Sequence, residues 1–132
     1  MLVELNEKEF EMITAFRRIF NENEVIEVDH IDHDNYENYI GKTVKVKGDV
    51  DLSGLGLTKI PINFTEVSGY FDCHDNELTT LAGGPNKVGR FFDCDSNELT
   101  SLEGCPKEVG GDFDCSDNQL DIPTSIGGRF IS

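Results

Sequence analysis

The chain has 132 residues, 37% of them hydrophobic, enough for one domain with a core and too many for a disordered acidic tail. It carries 11 Lys and Arg against 26 Asp and Glu, a formal charge of -15. That excess argues against direct binding to nucleic acid or to an anionic membrane, and it favours basic protein surfaces or cations as partners.

The opening residues, Met1 to Glu7, show no basic stretch and no long apolar run, so neither a signal peptide nor a membrane span is expected. Four cysteines without an export signal are then expected as reduced thiols in a cytoplasm. Asn6 and Glu9 form a capping box, with Leu5 and Phe10 as its hydrophobic staple. Phe10, Ile13, Phe16 and Phe20, flanked by Met12 and Ile19, make one apolar stripe. The spacing predicts a helix ending near Asn21 that packs as a cap on the rest of the chain.

Short strands are predicted at 25–28 and 43–46, with a polar loop between them. The loop holds Asp29-His30-Ile31-Asp32-His33-Asp34. Two histidines three apart among carboxylates can ligate a divalent metal, but nothing in the pattern fixes a geometry. The stretch reads as a solvated loop, and no metal site or cofactor is assigned.

From residue 46 onward the chain repeats. Val67-Ser68-Gly69-Tyr70-Phe71-Asp72-Cys73 recurs from Val88 and again from Val109, at intervals of 21 residues. Asn76, Asn97 and Asn118 keep the same spacing, as do Leu78, Leu99 and Leu120. A divergent copy starts at Val46, with Leu55 where the asparagine belongs, so its turn needs other support. A strand-like start at Ile126 follows Val109 by only 17 residues. The organisation is therefore a cap over 1–45 and coils at 46–66, 67–87, 88–108 and 109–125, closed by a terminal strand at 126–132. The expected fold is mainly β, a short solenoid with a parallel sheet behind an α-helical cap, one structural domain in all. The asparagine is expected to bond the backbone of its own turn and of the next coil.

The pattern of Phe92, Cys94, Asn97, Leu99 and Leu102 resembles the leucine-rich-repeat core at the short end of its range. Repeats of the form F-x-C-x-x-N-x-L-x-x-L-x-G-x-P are similar to those of tailed-bacteriophage proteins and their hosts. The resemblance covers 46–132 and implies a solenoid fold, while repeat scaffolds carry unrelated functions.

Alternation along each strand turns Phe71, Phe92 and Phe113 inward together with Cys73, Cys94 and Cys115. The cysteine column can in principle bind a soft metal, but it reads as small apolar filler, and Cys105 as an ordinary thiol. Cys73 and His74, as strand neighbours, face opposite ways and make no catalytic pair.

The residue between the inward positions is aspartate in all four coils: Asp51, Asp72, Asp93 and Asp114. Parallel stacking brings successive carboxylates to about 5 Å, where each pair repels by about 0.8 kcal/mol even in water. Asp is also a poor strand residue. Flanking columns hold Asp49, Tyr70, Phe91 and Asp112, and Ser53, His74, Asp95 and Ser116. Aromatics ringed by charge have the composition of a binding hot spot. Duplication, which copies residues together, is the competing explanation of the ladder.

No phosphate loop, nucleophile elbow or dinucleotide motif is present, and a regular ladder on an open face lacks the asymmetry of acid–base catalysis. The sequence therefore predicts a non-enzymatic binding module in which Asp51, Asp72, Asp93, Asp114, Tyr70, Phe91, His74, Asp95 and Asp112 engage a basic protein. Such a row imitates nucleic-acid phosphates, so a nucleic-acid-binding protein is the natural target. With the phage resemblance, this points to an inhibitor of a host defence or regulatory factor. The alternatives are a structural or cation-binding repeat and an enzyme built around His30 and His33. The last strand, Phe130-Ile131, lacks a polar cap, which allows a homodimer through that edge.

Overall fold

The computed structural model describes residues 24–120 and the backbone of 130–131. The helix expected over 6–21 lies outside the described residues. What is described is a parallel β-solenoid of about four turns with 21-residue spacing.

Each turn contributes to two sheets, where the sequence predicted one. The first sheet contains β1 (Ile26–Val28), β2 (Thr43–Val46), β4 (Asn63–Val67), β6 (Lys87–Val88) and β8 (Glu108–Val109), in that order. The second contains β3 (Val50–Asp51), β5 (Phe71–Asp72), β7 (Phe92–Asp93), β9 (Phe113–Asp114) and β10 (Phe130–Ile131). Val46, Val67 and Val88 pair in succession in the first, and Val50, Phe71, Phe92 and Phe113 in the second. The shortened final interval appears as Phe130 pairing with Phe113.

Between the two strands of a turn the chain bends through the Ser-Gly or Gly-Arg pair. Here successive coils approach so closely that a Cβ on Gly89 would sit 2.0 Å from the Ser68 carbonyl oxygen. On Gly110 it would sit 2.1 Å from that of Gly89. At these two positions only glycine allows the coils to stack.

Residues 26–31, placed in the cap by the sequence, are built into the stack. β1 pairs with β2, and Ile31 bridges to Val50. A short 3-10 helix, Tyr36–Tyr39, carries the chain from that bridge to β2, with both tyrosines packed against the core.

The core runs along the solenoid axis. Phe71 and Phe92 are fully buried and stack at 5.4 Å, and Phe113 continues the stack at 5.1 Å. Phe64 meets Phe71 edge-on from the first sheet. Burying each such ring contributes about 1.5–3 kcal/mol, which a single coil could not achieve because it has no neighbour to cover it. Cys73, Cys94 and Cys115 fill the same interior as free thiols. Burial, the leading cause in each, drives the Cys73 and Cys94 thiols far above their ordinary range and Cys115 to about 11. Thiolate chemistry is therefore disfavoured in the column.

The asparagines reach back to the preceding coil, not forward. Along the second sheet alternate N–H groups point toward the following coil, as in Leu52 N to Asp72 O (2.8 Å) and Cys73 N to Asp93 O (2.8 Å). Where the turn interrupts that ladder, the next coil's asparagine supplies the acceptor. Asn97 Oδ1 accepts from Leu78 N (3.0 Å), while its Nδ2 donates to Cys73 O (3.0 Å) and Cys94 O (3.1 Å). Asn76 serves the first coil in the same way, accepting from Leu55 N and Leu57 N. That is the other support the asparagine-free turn required. In the same turns Asp75, Ser96 and Asp117 adopt left-handed φ of 53 to 56°, and the first coil has Gly54 (φ 64°) in that place.

Candidate functional site: an acidic face on the second sheet

The four aspartates come together as expected. Asp51, Asp72, Asp93 and Asp114 are direct register partners on β3, β5, β7 and β9. All are half-buried, their side chains pointing away from the core.

Local hydrogen bonding explains part of their presence. Each Oδ1 accepts the amide two residues on: Ser53 N (3.0 Å), His74 N (3.0 Å), Asp95 N (3.0 Å) and Ser116 N (2.9 Å). These side-chain turns end each short strand. The Ser53 and Ser116 hydroxyls add 2.6 Å bonds to Asp51 and Asp114. An asparagine oxygen would accept the same amides, so the turn accounts for the side-chain oxygen and not for its charge.

The structure extends the ladder by a rung that the sequence pattern placed in a loop. Asp32 follows the Ile31–Val50 bridge, which sets it beside Asp51, and its Oδ1 accepts Asp34 N at 2.9 Å in the same turn. The Ile-Asp pair was the only signal, and the irregular spacing hid it. This rung also brings in the histidine loop. His30 Nε2 lies 3.4 Å from Asp32, and His33 Nε2 lies 3.6 Å from Asp51 Oδ1.

Proton positions reflect this crowding. Asp93 is pushed up to about 7, first by burial, then by a proton shared with the Asp95 carboxyl and by the charge of Asp72. His74 Nδ1 bonds Asp72 Oδ1 and lies 4.0 Å from Asp93 Oδ2. The bond to Asp72, outweighing partial burial, raises the imidazole above its ordinary value. At Asp51 burial works upward, yet the Ser53 hydroxyl and amide, with His33 and His74 nearby, bring the carboxyl below its usual value.

Tyr70 and Phe91 stack beside the ladder, with centroids 4.6 Å apart and planes within 5°. Asp49 Oδ1 accepts the Tyr70 amide at 2.9 Å. Asp112, half-buried, follows Phe91 in this column; its carbonyl accepts Phe92 N at 2.9 Å. Asp95 flanks the ladder through its amide bond to Asp93.

The outward face of the first sheet is built differently. Glu27 pairs in register with Lys45, and Glu66 with Lys87 and then Glu108. Lys45 contacts Glu66 at 3.8 Å, Lys47 contacts Glu27 at 3.9 Å and Lys87 contacts Glu108 at 3.7 Å. Charge alternates there. Among the described residues no lysine or arginine forms an ion pair with Asp51, Asp72 or Asp93.

Two groupings have ligand atoms within 4.8 Å of one another, Asp72–His74–Asp93 and Asp93–Asp95–Asp114. Either set of donors is chemically suited to a divalent cation. Among the described residues, His30 and His33 belong to no such grouping. No helix among them is long and apolar enough to cross a membrane. No family model matches the chain, and no curated protein or solved structure matches it.

Proposed function

We propose that the chain is a short leucine-rich-repeat-like binding module, not an enzyme, whose second-sheet face engages a basic protein surface. The observation that carries this reading is the contrast between the two faces. Outward charges on the first sheet are paired with opposite sign, whereas among the described residues Asp51, Asp72 and Asp93 of the second have no cationic partner other than histidine. Like charges held in register cost stability, and a cationic partner would recover it. Asp51, Asp72, Asp93, Asp114, Asp95 and Asp112 supply charge, His74 fixes Asp72, and Tyr70 with Phe91 supply apolar contact.

A row of carboxylates at strand spacing approximates a row of phosphates, so the proposed target is a nucleic-acid-binding protein. The resemblance to phage repeats extends the proposal to an inhibitor of a host factor, acting in the host cytoplasm.

The test compares wild-type bait with Asp72→Asn/Asp93→Asn/Asp114→Asn in bacterial lysate at low and high salt. Asparagine keeps the turn bonds and removes only charge. Glu27→Gln/Glu66→Gln/Glu108→Gln changes the net charge equally on the other sheet. A basic protein held by the wild type and the glutamine control, released by salt and absent from the asparagine variant, supports the reading. Equal recovery by all three baits, or none by any, removes it.

The Asp72–His74–Asp93 grouping favours a second reading, a cation-binding structural repeat. Its mark would be melting that depends on divalent ions and on His74, with no protein partner.

A further inference from the structure

Within the acidic face, the aromatic pair specifies more than apolar contact. Tyr70 and Phe91 lie parallel at 4.6 Å, the spacing of adjacent strands, so their planes stack along the solenoid axis. Each ring covers one face of the other. Next to Tyr70 in the preceding coil is Asp49, a short side chain turned toward the Tyr70 amide (2.9 Å). The stack therefore stops at a position bordered by carboxylate. Burial first, then the charges of Asp49, Asp51 and Asp72, raise the Tyr70 hydroxyl above its ordinary value, so three aspartates act on this one ring. Arg90 acts on it in the opposite sense from an exposed position.

We infer that the outer face of Tyr70, rimmed by Asp49, Asp51 and Asp72, is a seat for an arginine side chain of the basic partner. The inference rests on the acidic-face reading and names the chemistry that this face selects. A guanidinium is planar, as thin as a ring, and stacks on an aromatic face while its edge donates to carboxylates. It continues the Tyr70–Phe91 stack by one layer. An ammonium has no plane to stack and is more strongly hydrated, so lysine gains charge attraction alone. The partner is thus a protein or peptide that presents arginine.

The experiment titrates the full-length protein with two blocked peptides, hexa-arginine and hexalysine, followed by NMR. Binding of the arginine peptide about five- to tenfold tighter is expected, with peptide side-chain protons shifted upfield by the Tyr70 ring. Tyr70→Leu/Phe91→Leu should bring the arginine peptide down to the lysine level while salt-sensitive binding persists. Because that variant could perturb folding, its amide spectrum is compared first. Asp49→Asn, which keeps the amide acceptor, gives an independent reading as a loss several-fold larger for the arginine peptide than for the lysine peptide. Arg90→Gln should preserve or enhance the preference, since it removes a competing cation.

Equal affinity for the two peptides, or a preference that survives the double leucine variant, overturns the seat. Those results leave the acidic-face reading standing if both peptides still bind and the asparagine ladder variant does not. Failure of both peptides to bind, with no basic protein recovered from lysate, overturns both.

Discussion

Replacing Asp93 with asparagine should make the protein more stable, and more so at high pH. Asp93 N-terminates a turn through Asp95 N at 3.0 Å, a bond asparagine retains. What it loses is a charge wedged between Asp72 and Asp114. The Asp93 carboxyl is raised from 3.8 to about 7 in the folded protein. Between those values the folded state keeps a proton that the unfolded chain has released. Stability therefore falls as pH rises across this window, and the penalty is complete above pH 7. At ~1.4 kcal/mol per pH unit the ceiling is ~4 kcal/mol; solvent screening and the shared proton reduce it to about 1–2 kcal/mol. Urea melts of both proteins at pH 4.5 and 8.0 measure the difference. Asp93→Asn should be more stable by about 1–2 kcal/mol at pH 8.0 and by less than about 0.5 kcal/mol at pH 4.5. An equal gain at both pH values, or a loss at pH 8.0, would refute the claim that ladder charge is costly.

Three further outcomes test other parts of the structure. The His74 ring should titrate above 6.5 by NMR, because Asp72 bonds its charged form, and Asp72→Asn should lower the midpoint. Its stabilising contribution is complete below pH 6.5 and lost as pH rises through the raised value; a midpoint at or below 6.5 in the wild type would exclude the bond. Asn97→Leu should cost about 1–3 kcal/mol in urea melts, since it orphans Leu78 N and removes one of two asparagine bonds at each of the Cys73 and Cys94 carbonyls, and a cost under about 0.5 kcal/mol would contradict the assigned network. Gly89→Ala should destabilise by about 3 kcal/mol or more, because its Cβ meets a backbone oxygen of the preceding coil, and unchanged melting would disprove the close corner.

The repeat was legible because its columns are chemically distinct. Phenylalanine, cysteine, asparagine and leucine recur at one interval, and each has an interior task that tolerates few substitutes: ring stacking, small filler, turn bonding. The split into two sheets was not legible. A corner made by Ser68-Gly69 or Gly89-Arg90 leaves the strand pattern on either side unchanged, and only the approach of neighbouring coils reveals the bend. The aspartate column was legible as a column, but its turn bonds were not, since they depend on where each strand ends. Asp32 and His33 fell in a predicted loop because the interval from Ile31 to Val50 is 19 residues, outside the repeat. No periodic search could have placed them at the head of the ladder.

Whether the ladder reflects selection or only duplication can be argued from the other sheet. Lys45, Glu66, Lys87 and Glu108 occupy one outward column at the same 21-residue interval, and their sign alternates from coil to coil. Copies made together have therefore diverged there toward the arrangement that electrostatics favours. The aspartate column came from the same copies and has not diverged. Its turn bonds require a short side-chain acceptor, which asparagine or serine would also provide. Turn geometry alone does not call for a carboxyl at every rung, including Asp32 outside the regular repeat. On the proposed binding reading, a ladder whose charge is costly would be kept because binding sites commonly retain features that weaken the free fold.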